Sequence, residues 1–282
     1  MPLFMFLAGM VFSLKFREFI PENFSFRDFL RELKKAFCGL FVPFVSWTVV
    51  YYFLRHNDGT LTYFKNVIKS PDYSLWFLIT LFYCRVFFVF VLALFRGKKI
   101  TSFTALLIVF YVAAYKLLPG IAGGGFFKFH FPYFALGIFF CKFTNKFEAL
   151  LNSRTINIIT FILFLIFAPL WYLTSKNPVE LFLSRFMPIN YAAKLYFYYK
   201  RAVPFLGITL FMSFARFLSR KNLGYVDNFL SFTGQLTLGI YAIHGTFIRV
   251  QPLFIASLAI SIIITFVIAK IPVIRFFLLG KR

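Results

Sequence analysis

The sequence predicts an all-α, polytopic bundle of transmembrane helices. Of its 282 residues, 61% are hydrophobic and the mean hydropathy is +0.81, whereas soluble domains are roughly 45–50% apolar. The 47 Phe and 15 Tyr present more aromatic surface than a single soluble core of this length buries. Long apolar segments recur along the chain, and a helix of about 20 such residues crosses a bilayer with its backbone hydrogen bonds satisfied.

Nine segments are predicted to cross the membrane. They are residues 1–14, 36–54, 75–95, 100–118, 126–143, 156–174, 202–218, 229–248 and 253–270. The first is shorter than a bilayer requires. The fifth starts among Lys128, His130 and Pro132, so it spans only if the Lys128 side chain snorkels to the interface.

The basic residues are distributed unequally between alternating loops. The chain carries 31 Lys and Arg against nine Asp and Glu, for a formal charge of +22. The odd-numbered loops and the C-terminal tail hold 19 basic residues, and the intervening loops hold 11. The positive-inside rule then predicts a cytoplasmic C-terminus and, after nine crossings, an outer Met1. Basic residues in such short loops indicate topology and contact with membrane lipid, and no nucleic-acid partner is expected.

Residues 26–37 are predicted to form an amphipathic helix at the inner membrane surface. Its apolar residues lie at helical spacing beside basic residues: Phe26, Phe29, Leu30, Leu33 and Phe37 accompany Arg31, Lys34 and Lys35. Ser25 is the expected N-cap, with Asp28 three residues on in a capping-box arrangement.

Arg85 is the ionisable residue that stands out inside a predicted span. It lies about ten residues into the third span, about 15 Å along the helix. An unpartnered guanidinium there costs about 3 kcal/mol or more. Arg85 is therefore expected to face a polar cavity, a partner or an anionic ligand. The alternative is a packing role in which it bonds backbone carbonyls of a neighbouring helix.

The remaining polar groups indicate which functions the sequence favours and disfavours. His244 lies four residues from the outer end of the eighth span, either as a functional imidazole or as an interfacial histidine bonded to a nearby carbonyl. All nine acidic residues are assigned to positions outside the apolar cores, which disfavours a proton-driven antiporter. The three scattered cysteines lack the spacing of a metal site, so no metal is expected.

Five motifs occur in order along the chain. They are Met1-Pro-Leu-Phe-Met-Phe-Leu-Ala-Gly9, the basic Arg31-Glu-Leu-Lys-Lys35 followed by Val42-Pro-Phe-Val-Ser-Trp47, Ser74-Leu-Trp-Phe-Leu78 with Arg85, Phe131-Pro-Tyr-Phe-Ala-Leu-Gly137, and Leu238-Gly-Ile-Tyr-Ala-Ile-His244. Together they resemble the acyltransferase 3 family of integral-membrane acyltransferases, especially its fucose 4-O-acetylase-like branch.

The resemblance implies one membrane-embedded domain over residues 1–282, in a family built on about ten helices. Such a protein transfers an acyl group, typically acetyl from acetyl-CoA, to a hydroxyl of a cell-surface or lipid-linked glycan. The expected location is the bacterial inner membrane. The alternative is a non-enzymatic transporter or flippase of lipid-linked glycan, which would have no cytoplasm-accessible acyl-CoA pocket.

The resemblance also implies site residues. The family's first span usually carries a histidine thought to be the general base, and nothing in this sequence corresponds to it. The domain is therefore expected to lack its first helix and to have little or no activity, with His244 as the catalytic candidate. His56 and His130 fall in predicted loops and match no family histidine. Substrate binding is assigned to Arg85, Trp76 and Tyr241, and binding of the acetyl-CoA phosphates to Lys34, Lys35, Arg96, Lys98 and Lys99.

Overall fold

The structure is a computed structural model. It describes residues 1–14, 24–54, 59–69, 75–95, 100–117, 119–120, 123–170, 182–221, 224–225, 228, 232, 234, 239–243 and 254–280. All regular structure in these residues is helical, which confirms the predicted all-α class.

Twelve α-helices have defined bounds within the described residues. They are α1 (Pro2–Ser13), α2 (Phe26–Ala36), α3 (Val42–Leu54), α4 (Thr60–Lys69), α5 (Trp76–Leu94), α6 (Ile100–Leu117), α7 (Gly124–Lys142), α8 (Thr144–Asn152), α9 (Arg154–Phe167), α10 (Ile189–Arg220), α11 (Phe254–Lys270) and α12 (Pro272–Leu279). A π-helical turn (Phe37–Phe41) joins α2 to α3, a 3₁₀ turn (Ala168–Leu170) follows α9, and residues 239–243 are also helical.

Three described helical runs are long and apolar enough to cross a membrane. These runs are Phe26–Leu54, Trp76–Leu94 and Ile189–Leu218. The first and last contain the second and seventh predicted spans, and Trp76–Leu94 matches the third to within one residue at each end. Four shorter apolar helices correspond to parts of the first, fourth, sixth and ninth predicted spans. The total of nine spans stays a prediction.

The amphipathic segment forms the predicted helix with the predicted cap. The backbone N–H of Asp28 donates to Ser25 Oγ at 3.1 Å, and the backbone N–H of Ser25 donates to Asp28 Oδ2 at 3.0 Å. The helix does not stop at Phe37, however. The π-helical turn carries it into α3 as one run of 29 residues, so α2 is the first part of a long helix and not a separate element.

The exposed side of α2 carries apolar and basic residues side by side. Phe26, Leu30 and Phe37 are exposed, whereas Glu32 and Ala36 are buried against the rest of the chain. The hydrophobic stripe thus faces away from the protein, next to the exposed basic residues. Such a surface suits a helix at the boundary between acyl chains and headgroups, and this location stays a prediction.

The chain divides into two compact units, each described here by itself. The first comprises Met1–Lys15 and Tyr133–Leu223, and the second comprises Phe16–Pro132 and Gly224–Arg282. The boundary falls within α7.

In the first unit, α1 and the second half of α7 meet at two glycines. A Cβ atom on Gly9 would overlap the carbonyl oxygen of Phe134, and one on Gly137 would overlap that of Phe6. Small residues allow helix backbones to approach closely in membranes. Because Gly9 and Gly137 end the first and fourth sequence motifs, this packing gives both motifs a structural role.

The first unit also brings two basic loop regions to the same end. Arg216 pairs with Glu148 at 2.6 Å, and Arg220 Nη2 donates to Asn152 Oδ1 at 2.7 Å. These contacts join the end of α10 to α8. The predicted loops at residues 142–154 and 216–221 were assigned to one face of the membrane, and the contacts agree with that assignment.

The second unit has a core of buried side chains from the middle and end of α3, the start of α5 and the segment at residues 239–243. Its buried members are Trp47, Tyr51, Leu75, Leu78, Ala242 and Ile243. Trp47 Nε1 donates to the carbonyl of Leu278 in α12 at 2.9 Å, and the Tyr51 hydroxyl donates to that of Ala242 at 2.5 Å. These bonds connect parts of the chain that are far apart in sequence.

Two helices begin earlier than their predicted spans. α10 begins at Ile189, whereas the span was predicted from residue 202. α7 begins at Gly124, directly after Gly123 with a positive φ of 87°. Hydropathy marks only the apolar part of a helix, so the basic and tyrosine-rich start of α10 and the two glycines that open α7 fall outside the predicted spans.

Candidate active site

Arg85 lies at the middle of α5 and is paired with a carboxylate from α2. Its Nη2 atom donates to Glu32 Oε2 at 2.6 Å. Both side chains are largely buried, with 13% of Arg85 and 7% of Glu32 exposed. The sequence analysis expected Arg85 to face a polar cavity, a partner or an anionic ligand, and the structure shows a partner, an acidic side chain of the protein itself.

Lys35 completes a cluster of three charges. Its Nζ atom donates to Glu32 Oε1 at 2.7 Å, so both oxygens of Glu32 are engaged by cations. Glu32 and Lys35 lie three residues apart on α2, which places them on neighbouring positions of one helix face. Two positive charges and one negative charge give the Arg85–Glu32–Lys35 cluster a net positive charge.

The buried position of Glu32 corrects the sequence analysis, which assigned every acidic residue to a place outside the apolar cores. Glu32 packs against α5 because α2 runs beside that helix. Arg85 is 53 residues away along the chain, so sequence spacing gave no sign of the contact. The usable signal was the cost of an unpartnered Arg85, for which the sequence offers only nine acidic residues as possible counter-charges.

A second group of candidate residues lies at the start of α5. Trp76 stacks on Phe126 with ring centroids 4.6 Å apart, and on His130 at 5.2 Å. His130 also contacts Phe129 edge to face at 4.9 Å. Trp76, a predicted substrate-binding residue, is thus the platform on which a histidine is packed.

The position of His130 is a correction. The sequence analysis placed it in a loop, but it lies inside α7 and is 4% exposed. Lys128 and Pro132 had suggested an irregular start for this span. Instead Lys128 lies with its ammonium 5.2 Å from the ring centre of Tyr115 on α6, and Pro132 is accommodated within the helix.

Tyr241, the third predicted substrate-binding residue, also lies near the start of α5. Its ring contacts Phe77 at 5.5 Å. The segment is held close to α11, because a Cβ atom on Gly239 would overlap the side chain of Thr265. The late motif therefore positions Tyr241 beside the residue that follows Trp76.

The structure places predicted site residues around two positions along the axis of α5, its middle and its start; these positions are the two levels of α5. Arg85 and Lys35 lie together at the middle of the helix, and Trp76 and Tyr241 lie near its start. Nine residues separate Trp76 from Arg85, about 13 Å along the helix axis. Lys34 is on the exposed side of α2. His244, Arg96, Lys98 and Lys99 lie outside the residues that the structure describes.

A comparison with models of protein families assigns this chain to a family. A model of the acyltransferase 3 family, described as an acyltransferase domain, matches residues 1–278. The match covers almost the whole sequence, so the chain belongs to that family. A search of curated proteins and a search of solved structures each found no match.

Family membership and the apolar helices together define an integral-membrane acyltransferase in general terms. The resemblance of the five motifs to the family is thereby confirmed. Membership in the fucose 4-O-acetylase-like branch and the absence of a first helix stay predictions.

Proposed function

We propose that this protein transfers acetyl from acetyl-CoA to a hydroxyl of a cell-surface or lipid-linked glycan. The proposed setting is the bacterial inner membrane, with the C-terminus in the cytoplasm. The supporting observation is the net positive Arg85–Glu32–Lys35 cluster of an acyltransferase, in which Arg85, at the middle of α5, and Glu32 of α2 are largely buried and Lys35 is half exposed. A purely structural ion pair does not require the extra cation.

The Arg85–Glu32–Lys35 cluster is proposed as part of the donor site. Acetyl-CoA carries several phosphates at one end and a long pantetheine arm that ends in the thioester. Lys34 and Lys35, with Arg96, Lys98 and Lys99 from the third predicted loop, are proposed to bind the phosphates through charge-assisted hydrogen bonds. Arg85 then engages an anionic or carbonyl group further along the donor.

The start of α5 is proposed as the place of acyl transfer. The acceptor oxygen attacks the thioester carbonyl carbon, a tetrahedral oxyanion forms, and the C–S bond then breaks. Coenzyme A leaves as the thiol after receiving the proton that the hydroxyl lost. Trp76 and Tyr241 are proposed to hold the sugar at this level, about 13 Å along the helix from Arg85.

His130 is proposed as the general base for this step. A positioned base contributes about 10²–10⁴-fold to such a reaction. His130 fits because it is packed on Trp76, at the level proposed for the sugar. His244, which the sequence analysis named as the catalytic candidate, also belongs to the motif that positions Tyr241 and is the alternative base.

Transfer of labelled acetyl by the purified protein tests the proposal. The protein is reconstituted in liposomes with acetyl-CoA labelled in its acetyl group and an extract of lipid-linked and envelope glycans. Label should enter the glycan and be released by mild alkali as an ester. Movement of lipid-linked glycan across the bilayer without labelling would instead support the flippase alternative, which family membership does not favour.

The same assay tests the expectation of a missing first helix. The 282-residue chain is compared with a version extended by any in-frame upstream codons. Equal activity would support His130 or His244 as the base. Activity confined to the extended version would place the base in the added segment and contradict the role of His130.

A further inference from the structure

The long helical run of α2 and α3 contains one turn that is wider than an α-helical turn. In the π-helical turn Phe37–Phe41, the backbone N–H of Val42 donates to the carbonyl of Phe37, five residues earlier. The π-helical turn therefore holds one residue more than an α-helical turn, and it rotates α2 relative to α3 by about 100° around the helix axis.

This rotation decides which side of α2 faces α5. Glu32 in α2 and Tyr51 in α3 are 19 residues apart, so in an uninterrupted α-helix they would point about 100° apart. With the extra residue of the π-helical turn they fall on the same side of the run, and both are buried, at 5% and 3% exposed. Glu32 contacts Arg85 from this side. The π-helical turn is therefore part of what brings Glu32 to Arg85.

The end of α12 is in contact with the middle residue of the π-helical turn. Gly280, which follows α12 and has a positive φ of 62°, lies against Gly39. A Cβ atom on Gly280 would be 2.5 Å from the carbonyl oxygen of Gly39 and 2.7 Å from its Cα atom. Glycine is therefore required at position 280 by its backbone conformation and, independently, by this contact.

Both partners of this contact are attached to other helices of the second unit. Trp47 Nε1 in α3 donates to the carbonyl of Leu278 in α12 at 2.9 Å. The π-helical turn contacts α5 through Phe41 and Phe82, whose ring centroids are 5.4 Å apart. Phe82 is three residues before Arg85, about 4.5 Å along the axis of α5. The π-helical turn thus connects the end of α12 to the part of α5 that carries Arg85.

We propose that Gly280 is a positioning residue of the donor site. Its contact with Gly39 fixes the π-helical turn, the turn sets the rotation of α2, and this rotation presents Glu32 and Lys35 to Arg85. The inference rests on the proposed function, in which the Arg85–Glu32–Lys35 cluster binds acetyl-CoA. Gly280 acts from a distance, since Gly39 is seven residues, about 10 Å along the helix, from Glu32.

The rotation of α2 can be measured without acyl transfer. In a background without the native cysteines, Ala36→Cys places a thiol on the buried side of α2, since Ala36 is 1% exposed, and Lys34→Cys places one on the exposed side. In purified protein, a water-soluble maleimide should label position 34 rapidly and position 36 slowly. Adding Gly280→Ala should speed labelling at position 36 at least about fivefold and leave position 34 unchanged.

The same change should weaken donor binding without impairing the chemical step. We expect the KM for acetyl-CoA to rise at least about fivefold in Gly280→Ala, while kcat stays within about twofold of the wild-type value. A loss of stability alone would reduce the amount of active protein and leave KM unchanged. Gly280→Asn should behave like Gly280→Ala, because asparagine tolerates a positive φ but has a Cβ atom that meets Gly39. A wild-type KM in Gly280→Asn would assign the effect of alanine to backbone strain and overturn the inference.

Gly39 supplies the matched control from the other side of the contact. The nearest atom to a Cβ on Gly39 would be the carbonyl oxygen of Gly280 at 3.9 Å, an ordinary van der Waals distance. Gly39→Ala should therefore keep the KM and the labelling rate at position 36 within about twofold of wild type. If neither Gly280 variant shows an unfolding transition, Trp47→Phe carries the test, because it removes the N–H that donates to Leu278 and should raise both quantities at least about twofold.

The outcomes separate this inference from the proposed function. If wild-type protein transfers acetyl and Gly280→Ala changes neither labelling nor KM, or Gly39→Ala changes them as much, the inference is wrong and the proposed function stands. Faster labelling with an unchanged KM also overturns the role in donor binding. If Gly280→Ala speeds labelling but wild-type protein transfers no acetyl, the proposed function fails, whereas the positioning of α2 by α12 holds.

Discussion

Arg85 shows how one ionisable side chain organises its surroundings. A guanidinium in the middle of an apolar helix requires a partner, and α2 provides it by burying Glu32 in place of an apolar residue. Lys35 then binds the second oxygen of Glu32. The sequence predicted that Arg85 faces a polar cavity, a partner or an anionic ligand. That the partner is Glu32 depends on how α2 packs on α5, which no local pattern encodes.

The Arg85–Glu32 pair should be more sensitive to losing one member than to losing both. Glu32→Leu leaves the buried charge of Arg85 without its counter-charge and should cost about 3–5 kcal/mol, and the double variant should recover most of that loss. Arg85→Leu should cost less than Glu32→Leu, because Lys35 still pairs with Glu32. Thermal unfolding of the purified protein in detergent, followed by near-ultraviolet circular dichroism, measures the difference. Arg31→Leu breaks the more exposed pair with Asp28 and should lower the unfolding temperature much less, because solvent screens an exposed pair. Losses that simply add in the double variant would contradict the pairing.

His130 should affect the chemical step and not donor binding. His130→Gln keeps a polar side chain of similar size but removes the base. We expect kcat to fall about 10²–10⁴-fold, while the KM for acetyl-CoA stays within about twofold. Initial rates with labelled acetyl-CoA, together with the unfolding temperature, separate catalysis from stability. A kcat near that of the wild type would exclude His130 as the base and direct attention to His244.

The helices are positioned by close contacts that sequence patterns only partly reveal. The capping box of α2 was predictable because Ser25 and Asp28 are three residues apart. The helical start of α10 was not, because the basic and tyrosine-rich stretch before residue 202 lowers its mean hydropathy. The glycines of the motifs can be read from the sequence, but whether they allow two helices to pack closely depends on which helix lies opposite.

The contact between α1 and α7 should not tolerate a single added methyl group. In Gly9→Ala or Gly137→Ala the new Cβ overlaps a backbone carbonyl of the facing helix, so the helices must separate. We expect each variant to lose about 1–3 kcal/mol or more, seen as a lower unfolding temperature in detergent. Gly120→Ala is the matched control, because no atom lies within 4 Å of its added Cβ. Unchanged stability in both motif variants would mean that α1 does not pack on α7 in this way.

The unequal distribution of Lys and Arg between alternating loops predicts which loops face the cytoplasm. In a background without Cys38, Cys84 and Cys141, single cysteines near Lys98 and Lys281 should be shielded from a membrane-impermeant thiol reagent in intact cells. A cysteine near Asp58 should be labelled. The reason is the excess of Lys and Arg, 19 against 11, on the loops assigned to the cytoplasm. The reverse labelling pattern would invert the proposed orientation and the assignment of donor and acceptor sides.

Composition and motif order were sufficient to predict the all-α class and the acyltransferase 3 family, because both are properties of the whole chain. For the candidate site, some individual residues could be predicted from the sequence, but their neighbours in space could not. Arg85, Trp76 and Tyr241 were identified, whereas Glu32 and His130 were missed, since a buried acid and a buried histidine are recognised by their neighbours in space. The two levels of α5 likewise emerge only when α2, α7 and the segment at residues 239–243 are placed around that helix.

The most direct test of the proposed donor site is the KM for acetyl-CoA in Arg85→Lys, measured as acetyl transfer to glycan by the reconstituted protein. Lysine keeps the charge but lacks the planar fork that engages Glu32 and the donor together. We expect the KM to rise at least about tenfold, while Arg31→Lys on the exposed side of α2 leaves it unchanged. An unchanged KM in Arg85→Lys, in a protein that transfers acetyl, would contradict the role of the Arg85–Glu32–Lys35 cluster in binding the donor.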